Sequence, residues 1–399
     1  MQIPYCVRRI VLSRIVLVVI TLMTMPLNLA VAEGPPPTPA EAKWLELFLK
    51  PNTYFAERLQ NPPEYADGGI LHPKIQYYQE QRGRTATGAS ASEKWWEMFI
   101  TPEGREQARR AVDRTWTYRT LETAPMKSVE DRMIDGPGGK LKIRIYTPVT
   151  DDQGLLPVMV HYHGGAWIFG SIEASDRANR LFANEADVIV VSVDYRLAPE
   201  YKFPAPQDDA QATFRWVVEN ARSFGGDPSR VGVGGDSAGG QMAVVTALRQ
   251  WKDGGIVPAS MMLYYPIVDM RTNLYSSYER FGEGYGLDKN LAEKVETLIF
   301  AKNEDREAYY SSPLQVPSLK GLPPTIIATA NFDILRDQGR ALADRLRSEG
   351  GQVIYRNYGS LTHGFLQHSK TIDDALAASV ETARLYGQLI RGRYRGNYH

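Results

Sequence analysis

The chain has 399 residues, with 46 Lys and Arg against 46 Asp and Glu, six His and one Cys. Hydrophobic residues make up 43% and charged residues 23%, which excludes disorder, a collagen-like repeat and a disulfide-stapled miniprotein. The balanced charge also argues against a nucleic-acid partner, because phosphate binding needs clustered Lys and Arg.

Arg8, Arg9 and Arg14 precede a mostly apolar run at residues 15–25, and Ala30, Val31 and Ala32 offer a cleavage point. That order predicts a secretory signal peptide over residues 1–32 and an exported protein, periplasmic or secreted. An eleven-residue run ended by Pro26 and Asn28 is too short to span a bilayer. Cleavage also removes Cys6, so the mature chain has no disulfide and depends on core packing.

Residues 33–126 read as a leader and helices. Residues 40–49, 93–99 and 103–114 have helical patterning, and the Pro-, Gly-, Ser- and Thr-rich stretch 61–92 reads as loop. From residue 127 to the C-terminus the pattern changes. Residues 130–134 and 141–146 flank a Pro137-Gly138-Gly139 turn and predict an antiparallel hairpin. Short β-branched or apolar runs follow at 158–161, 188–193, 231–233, 261–265, 325–329 and 353–355. Stretches of helical length, notably 207–220 and 238–252, separate them. Strands alternating with helices predict an α/β fold, a mostly parallel central sheet with helices on both faces. Residues 269–315 break the rhythm and are too long for a bare loop, so they predict a helical insertion.

Gly235-Asp236-Ser237-Ala238-Gly239-Gly240 lies between a strand-like and a helix-like run. Gly-x-Ser-x-Gly alone arises by chance in roughly one chain in eight of this length, so its context matters. A serine on a strand-to-helix turn with small neighbours is an exposed nucleophile, and the competing reading is a Gly-rich turn that caps a helix. His163-Gly164-Gly165-Ala166-Trp167 follows the strand at residue 158. Small residues there can aim successive N–H groups at one point, as an oxyanion hole requires, with Ala238 adding another. A phosphate loop does not fit, since no Gly-Lys-Ser/Thr follows.

A serine hydroxyl needs a base. The candidates are His72, His161, His163, His363, His368 and His399. His161 falls on a strand and reads as core, and His163 as a loop-orienting residue. His363 follows the last strand and is the best base by position. Its carboxylate should come from a loop after an earlier strand. Asp333 fits that place, with Asp337 as a rival better suited to capping a helix.

These motifs together resemble the hormone-sensitive-lipase-like, or bacterial family IV, esterases of the α/β-hydrolase superfamily. The matching stretches begin at His163, Asp194, Phe203, Gly235, Asp333 and His363 and fall in family order. The resemblance implies Ser237 as nucleophile, Asp333 as acid and His363 as base. It implies an oxyanion hole from Gly164, Gly165, Ala166 and Ala238, in which Gly164 shapes the turn and the other three supply amides. Ala166 stands where the family usually has a third Gly, Ile334 where it often has Pro, and Gln338 where it often has Glu. A helical cap from the N-terminal segment and the insertion is also implied. Trp167 and Phe169 are candidate pocket linings, as are Tyr275, Tyr278, Phe281 and Tyr285.

The function expected is hydrolysis of short- to medium-chain acyl esters by a serine carboxylesterase. A deacetylase, lactonase or amidase on the same fold is the alternative, as is a non-catalytic binding protein. No cofactor and no metal are expected. The expected partner is a small-molecule ester substrate, with no nucleic acid and no stable membrane insertion after cleavage. A homodimer is compatible with the sequence.

Overall fold

The computed structural model describes residues 36–82, 96–122, 125–302, 305 and 308–398. The signal peptide expected at residues 1–32 lies outside them.

Eight strands form one sheet in the order β10-β9-β8-β7-β5-β6-β4-β3. In chain order these are β3 (Ser128–Gly136), β4 (Gly139–Thr147), β5 (Leu156–Tyr162), β6 (Ile189–Val193), β7 (Gly226–Asp236), β8 (Met261–Tyr264), β9 (Thr325–Phe332) and β10 (Val353–Thr362). The hairpin β3–β4 and the β4–β6 pair are antiparallel, and every pair from β6 through β10 is parallel. This is the mostly parallel, helix-flanked sheet that the sequence predicts.

Alternation along each strand sorts side chains onto the two faces. Val158, Val160, Val191, Val233 and Leu263 point to one core, packed under the helices Ala205–Asn220, Ala238–Lys252 and Arg336–Ser348. Met159, Val190, Met262 and Ala328 point to the other, packed under Ile172–Ala186 and Asp373–Ile390. Burial on both faces explains why β5, β6, β8 and β9 read as continuous apolar runs.

The N-terminal region adds the helices Pro39–Phe48, Asn52–Ala56, Pro73–Arg82 and Pro102–Arg119. Thr38 and Glu41 form a reciprocal capping box at the first of these. Residues 61–82 are not the loop expected, and residues 83–92 of that stretch lie outside the described residues. Strands β1 (Tyr65–Ala66) and β2 (Gly69–Ile70) pair there, and Pro73–Arg82 is helical. The signal was hidden because that helix buries Lys74, Gln76 and Gln79, so it shows no apolar stripe. Lys74 Nζ donates to Phe48 O and Thr371 O, both at 2.8 Å, and His72 Nε2 meets Asp373 Oδ1 at 2.9 Å. Stacked and edge-on rings of Trp44, Phe48, Phe55 and Tyr78 fill the rest.

The stretch between β8 and β9 carries the helices Ser276–Arg280 and Lys289–Ile299 with short 3₁₀ turns. No helix among the described residues is long and apolar enough to cross a membrane.

Candidate active site

Ser237 sits between β7 and the helix Ala238–Lys252 with φ 55° and ψ −115°, a backbone setting that side-chain-bearing residues rarely adopt. The turn closes because its neighbours lack side chains. A Cβ at Gly235 or Gly239 would run into the carbonyl of Tyr162, and one at Gly240 would lie 2.8 Å from Pro266 Cβ. Ser237 N donates to Tyr264 O at 2.9 Å, which ties the bend to β8.

His363 directly follows β10, and Asp333 directly follows β9. His363 Nε2 lies 3.0 Å from Ser237 Oγ, and its Nδ1 lies 2.9 Å from Asp333 Oδ2. A carboxylate only accepts, so Nδ1 carries the proton and Nε2 is left to accept from the serine hydroxyl. Asp333 is buried, and its Oδ1 accepts the Leu335 N–H at 2.9 Å. Tyr265 packs edge-on against the imidazole, with ring centroids 4.7 Å apart. The three residues named from the sequence therefore meet in one hydrogen-bonded array.

The loop after β5 turns through three consecutive positive φ values: 114° at Gly165, 52° at Ala166 and 59° at Trp167. Gly165 is required there, since a Cβ would also collide with the carbonyl of Phe169. The Gly164 N–H donates to Asp236 Oδ1 at 2.8 Å, so Gly164 shapes the loop and offers no donor to a substrate. Gly165 and Ala166 line the same cavity as Ser237, and Ala238 opens the helix after it. Asp236 is buried, which pushes its carboxyl up, and it takes a second bond from Gln367 Nε2 at 3.0 Å.

Among the described residues no other histidine bonds to Ser237, and His399 lies outside them. His163 stacks on Tyr195 at 4.1 Å and its Nδ1 lies 2.7 Å from Gly164 O. Burial pushes it down to about 4 and His161 down to about 3. Asp337 does cap a helix, though not its own. Its carboxylate accepts from Ser276 Oγ and Ser277 N, at the start of Ser276–Arg280. Gln338 Oε1 takes the N–H groups of Val268 and Asp269, so an acceptor is what that position uses.

The cavity holding Ser237 has a volume of about 520 Å³, within the range of small-molecule sites. Phe169 and Tyr285 line it, whereas Trp167 does not. The positive φ at Trp167 turns its indole into the core beside Ala198 and Phe203. Tyr278 and Phe281 pack in a cluster with Phe332, and Tyr275 donates to Asp269 Oδ2. Lining residues that the sequence did not flag include Trp44, Phe48, Tyr78, Trp116 and Tyr265. Among the described residues no group of three or more His, Cys, Asp or Glu side chains is placed to hold a metal ion.

Residues 159–367 match a family described by its alpha/beta hydrolase fold. LipN, a carboxylic ester hydrolase of Mycobacterium tuberculosis, is 43% identical over 244 residues, which cover 60% of this chain and 64% of LipN. The carboxylesterase NlhH of the same organism is 36% identical over 287 residues, covering 70% of this chain and 88% of NlhH. A solved α/β-hydrolase enzyme from the metagenome of Lake Arreo superimposes with a TM-score of 0.73 at 36% identity, covering 79% of this chain and 98% of that one. The chain belongs to the α/β-hydrolase family, in its hormone-sensitive-lipase-like branch.

Proposed function

We propose that this carboxylic ester hydrolase is a serine carboxylesterase acting on short- to medium-chain acyl esters through Ser237, His363 and Asp333. The observation that carries the reading is the single imidazole bridging Ser237 Oγ at 3.0 Å and Asp333 Oδ2 at 2.9 Å. His363 Nε2 takes the hydroxyl proton as Oγ attacks the ester carbonyl, and the same proton then passes to the departing alcohol. Water, activated by the same imidazole, releases the acid from the acyl-enzyme. Asp333 holds the tautomer and stabilises the imidazolium without becoming protonated.

The negative oxygen of each tetrahedral intermediate is received by the N–H groups of Gly165, Ala166 and Ala238. Loss of one such donor typically costs about 2.7–4 kcal/mol of transition-state stabilisation. His161 and His163, held neutral by burial and not bonded to Ser237 Oγ, take no part in proton transfer.

The test is hydrolysis of p-nitrophenyl butyrate by the purified protein and by Ser237→Ala, with a fluorophosphonate probe on both. Loss of about 10⁶-fold in kcat and of labelling, with unchanged circular dichroism, is the expected result. Turnover retained by Ser237→Ala removes that serine from the mechanism. A folded wild type that neither hydrolyses nor labels is instead a hydrolase-fold binding protein.

A further inference from the structure

The cavity around Ser237 is lined by polar side chains for which hydrolysis of a simple ester has no use. Its N-terminal wall includes Trp44, Gln79 and Arg119. Gln79 is only 5% exposed, yet neither its Nε2 nor its Oε1 has a hydrogen-bond partner. Trp44 Nε1 and Arg119 Nε are buried and unpartnered in the same way. Buried polar groups in folded proteins are nearly always satisfied, so this wall carries more polarity than packing alone requires.

Arg119 sets the sign of a ligand there. Its guanidinium lies over the Trp44 ring, 4.0 Å from the centroid, which fixes the plane and leaves the N–H edge free. Among the described residues no carboxylate pairs with it. Glu122, three residues on, is taken by Arg177 and Lys370. His368 on the same wall adds no charge of its own, since burial and then the Arg119 charge push it down to about 3. Asp288 also lines the cavity, from the insertion, with one carboxylate oxygen unpartnered.

Resting on the serine-esterase reading above, we propose that this cavity is built for esters that carry a carboxylate away from the scissile bond. Arg119, stacked on the Trp44 ring, is its anchor. Either half of the ester can bring that carboxylate, and the assay separates the two sources. One arm compares monoethyl adipate with ethyl hexanoate, which puts the charge on the acyl side. The other compares the butyrate ester of 6-hydroxyhexanoate with hexyl butyrate, which puts it on the alcohol side.

In one arm the wild-type protein is expected to prefer the charged ester by about tenfold in kcat/KM, with the gain in KM. Added salt shrinks that preference, because the pairing is electrostatic. Arg119→Gln abolishes it and Arg119→Lys restores part of it. Equal or weaker use of the charged ester in both arms overturns the inference without any variant, so a misfolded mutant cannot shelter it. A preference that survives Arg119→Gln also overturns it. Turnover of the neutral esters with Ser237 labelled leaves the esterase reading standing in either case, whereas no turnover of any of the four esters sinks both.

Discussion

Strand β5 and the helix Pro73–Arg82 both bury side chains, yet they are held in opposite ways. The strand is covered along its whole length, chiefly by apolar neighbours on both faces. The helix instead buries Lys74, Gln76 and Gln79 and is fastened by directed bonds to Phe48 O and Thr371 O. The sheet side fixes where Ser237, Asp333 and His363 stand. The N-terminal side supplies part of the cavity wall around Ser237. Apolar packing is non-directional and tolerant of small shifts, whereas a buried polar contact is lost as soon as its partner moves. Substitutions in the first region should therefore act on the chemical step, and those in the second on stability and selectivity.

The largest effect expected falls on the sheet side. Asp333→Asn keeps the shape but loses the acceptor that sets the imidazole tautomer, and kcat should fall by about 10⁴-fold with the fold unchanged. Steady-state kinetics with circular dichroism measure this. A loss of less than tenfold means that another group orients His363.

On the other side, Phe55→Ala removes a ring with no exposed surface from the aromatic cluster. It should destabilise by about 3–5 kcal/mol in denaturant titration. If the sheet and the N-terminal helices unfold together, the single transition moves; two transitions, only one of them shifted, would show that the regions are energetically separate.

Asp113 sharpens the contrast through pH. Its carboxyl accepts from Ser171 Oγ at 2.8 Å, but burial pushes it up to about 6. Below about pH 4 both folded and unfolded chains hold this proton. Between about pH 4 and 6 only the unfolded chain releases it, so stability falls as pH rises, by on the order of 3 kcal/mol once both are ionised. Asp113→Asn should flatten the decline in Tm across that window. A slope identical to wild type would mean that Asp113 is ionised in the folded protein at low pH. Asp194, pushed up to about 6 mainly by burial, keeps part of the dependence.

The smallest effect belongs to Ala166→Gly. At φ 52° the substitution relieves backbone strain, while the extra freedom of Gly in the unfolded chain offsets most of the gain. Net stability should change by less than about 1 kcal/mol. Removing the methyl beside Ser237 should raise kcat/KM for branched acyl esters by a few-fold, at most about tenfold. No change in an acyl series would place that methyl away from the substrate.

The same contrast governs what the sequence made legible. β-branched runs marked the buried parallel strands because both faces are apolar. Only the middle of β7 showed itself, since Gly232, Gly234 and Gly235 carry no side chain to signal a strand. Ser237, Asp333 and His363 were readable because each follows a strand end within a short local motif. The walls contributed by Trp44, Gln79 and Arg119 were not, since their relation to Ser237 depends on tertiary contacts across more than a hundred residues. Trp167 was misjudged because proximity in sequence says nothing of the positive φ that turns its ring away. Asp337 was read as capping its own helix because sequence shows only the nearest helix start.

The carboxylate of Asp236 has a practical corollary. By gripping the amide of Gly164 and the side chain of Gln367 together, it clamps the stretch that leads into Gly165 and Ala166 to the stretch that trails His363. Slippage of one should drag the other, so thermal inactivation ought to extinguish turnover abruptly rather than erode it by degrees. A redesign of the entrance can leave that clamp untouched and still inherit a working centre.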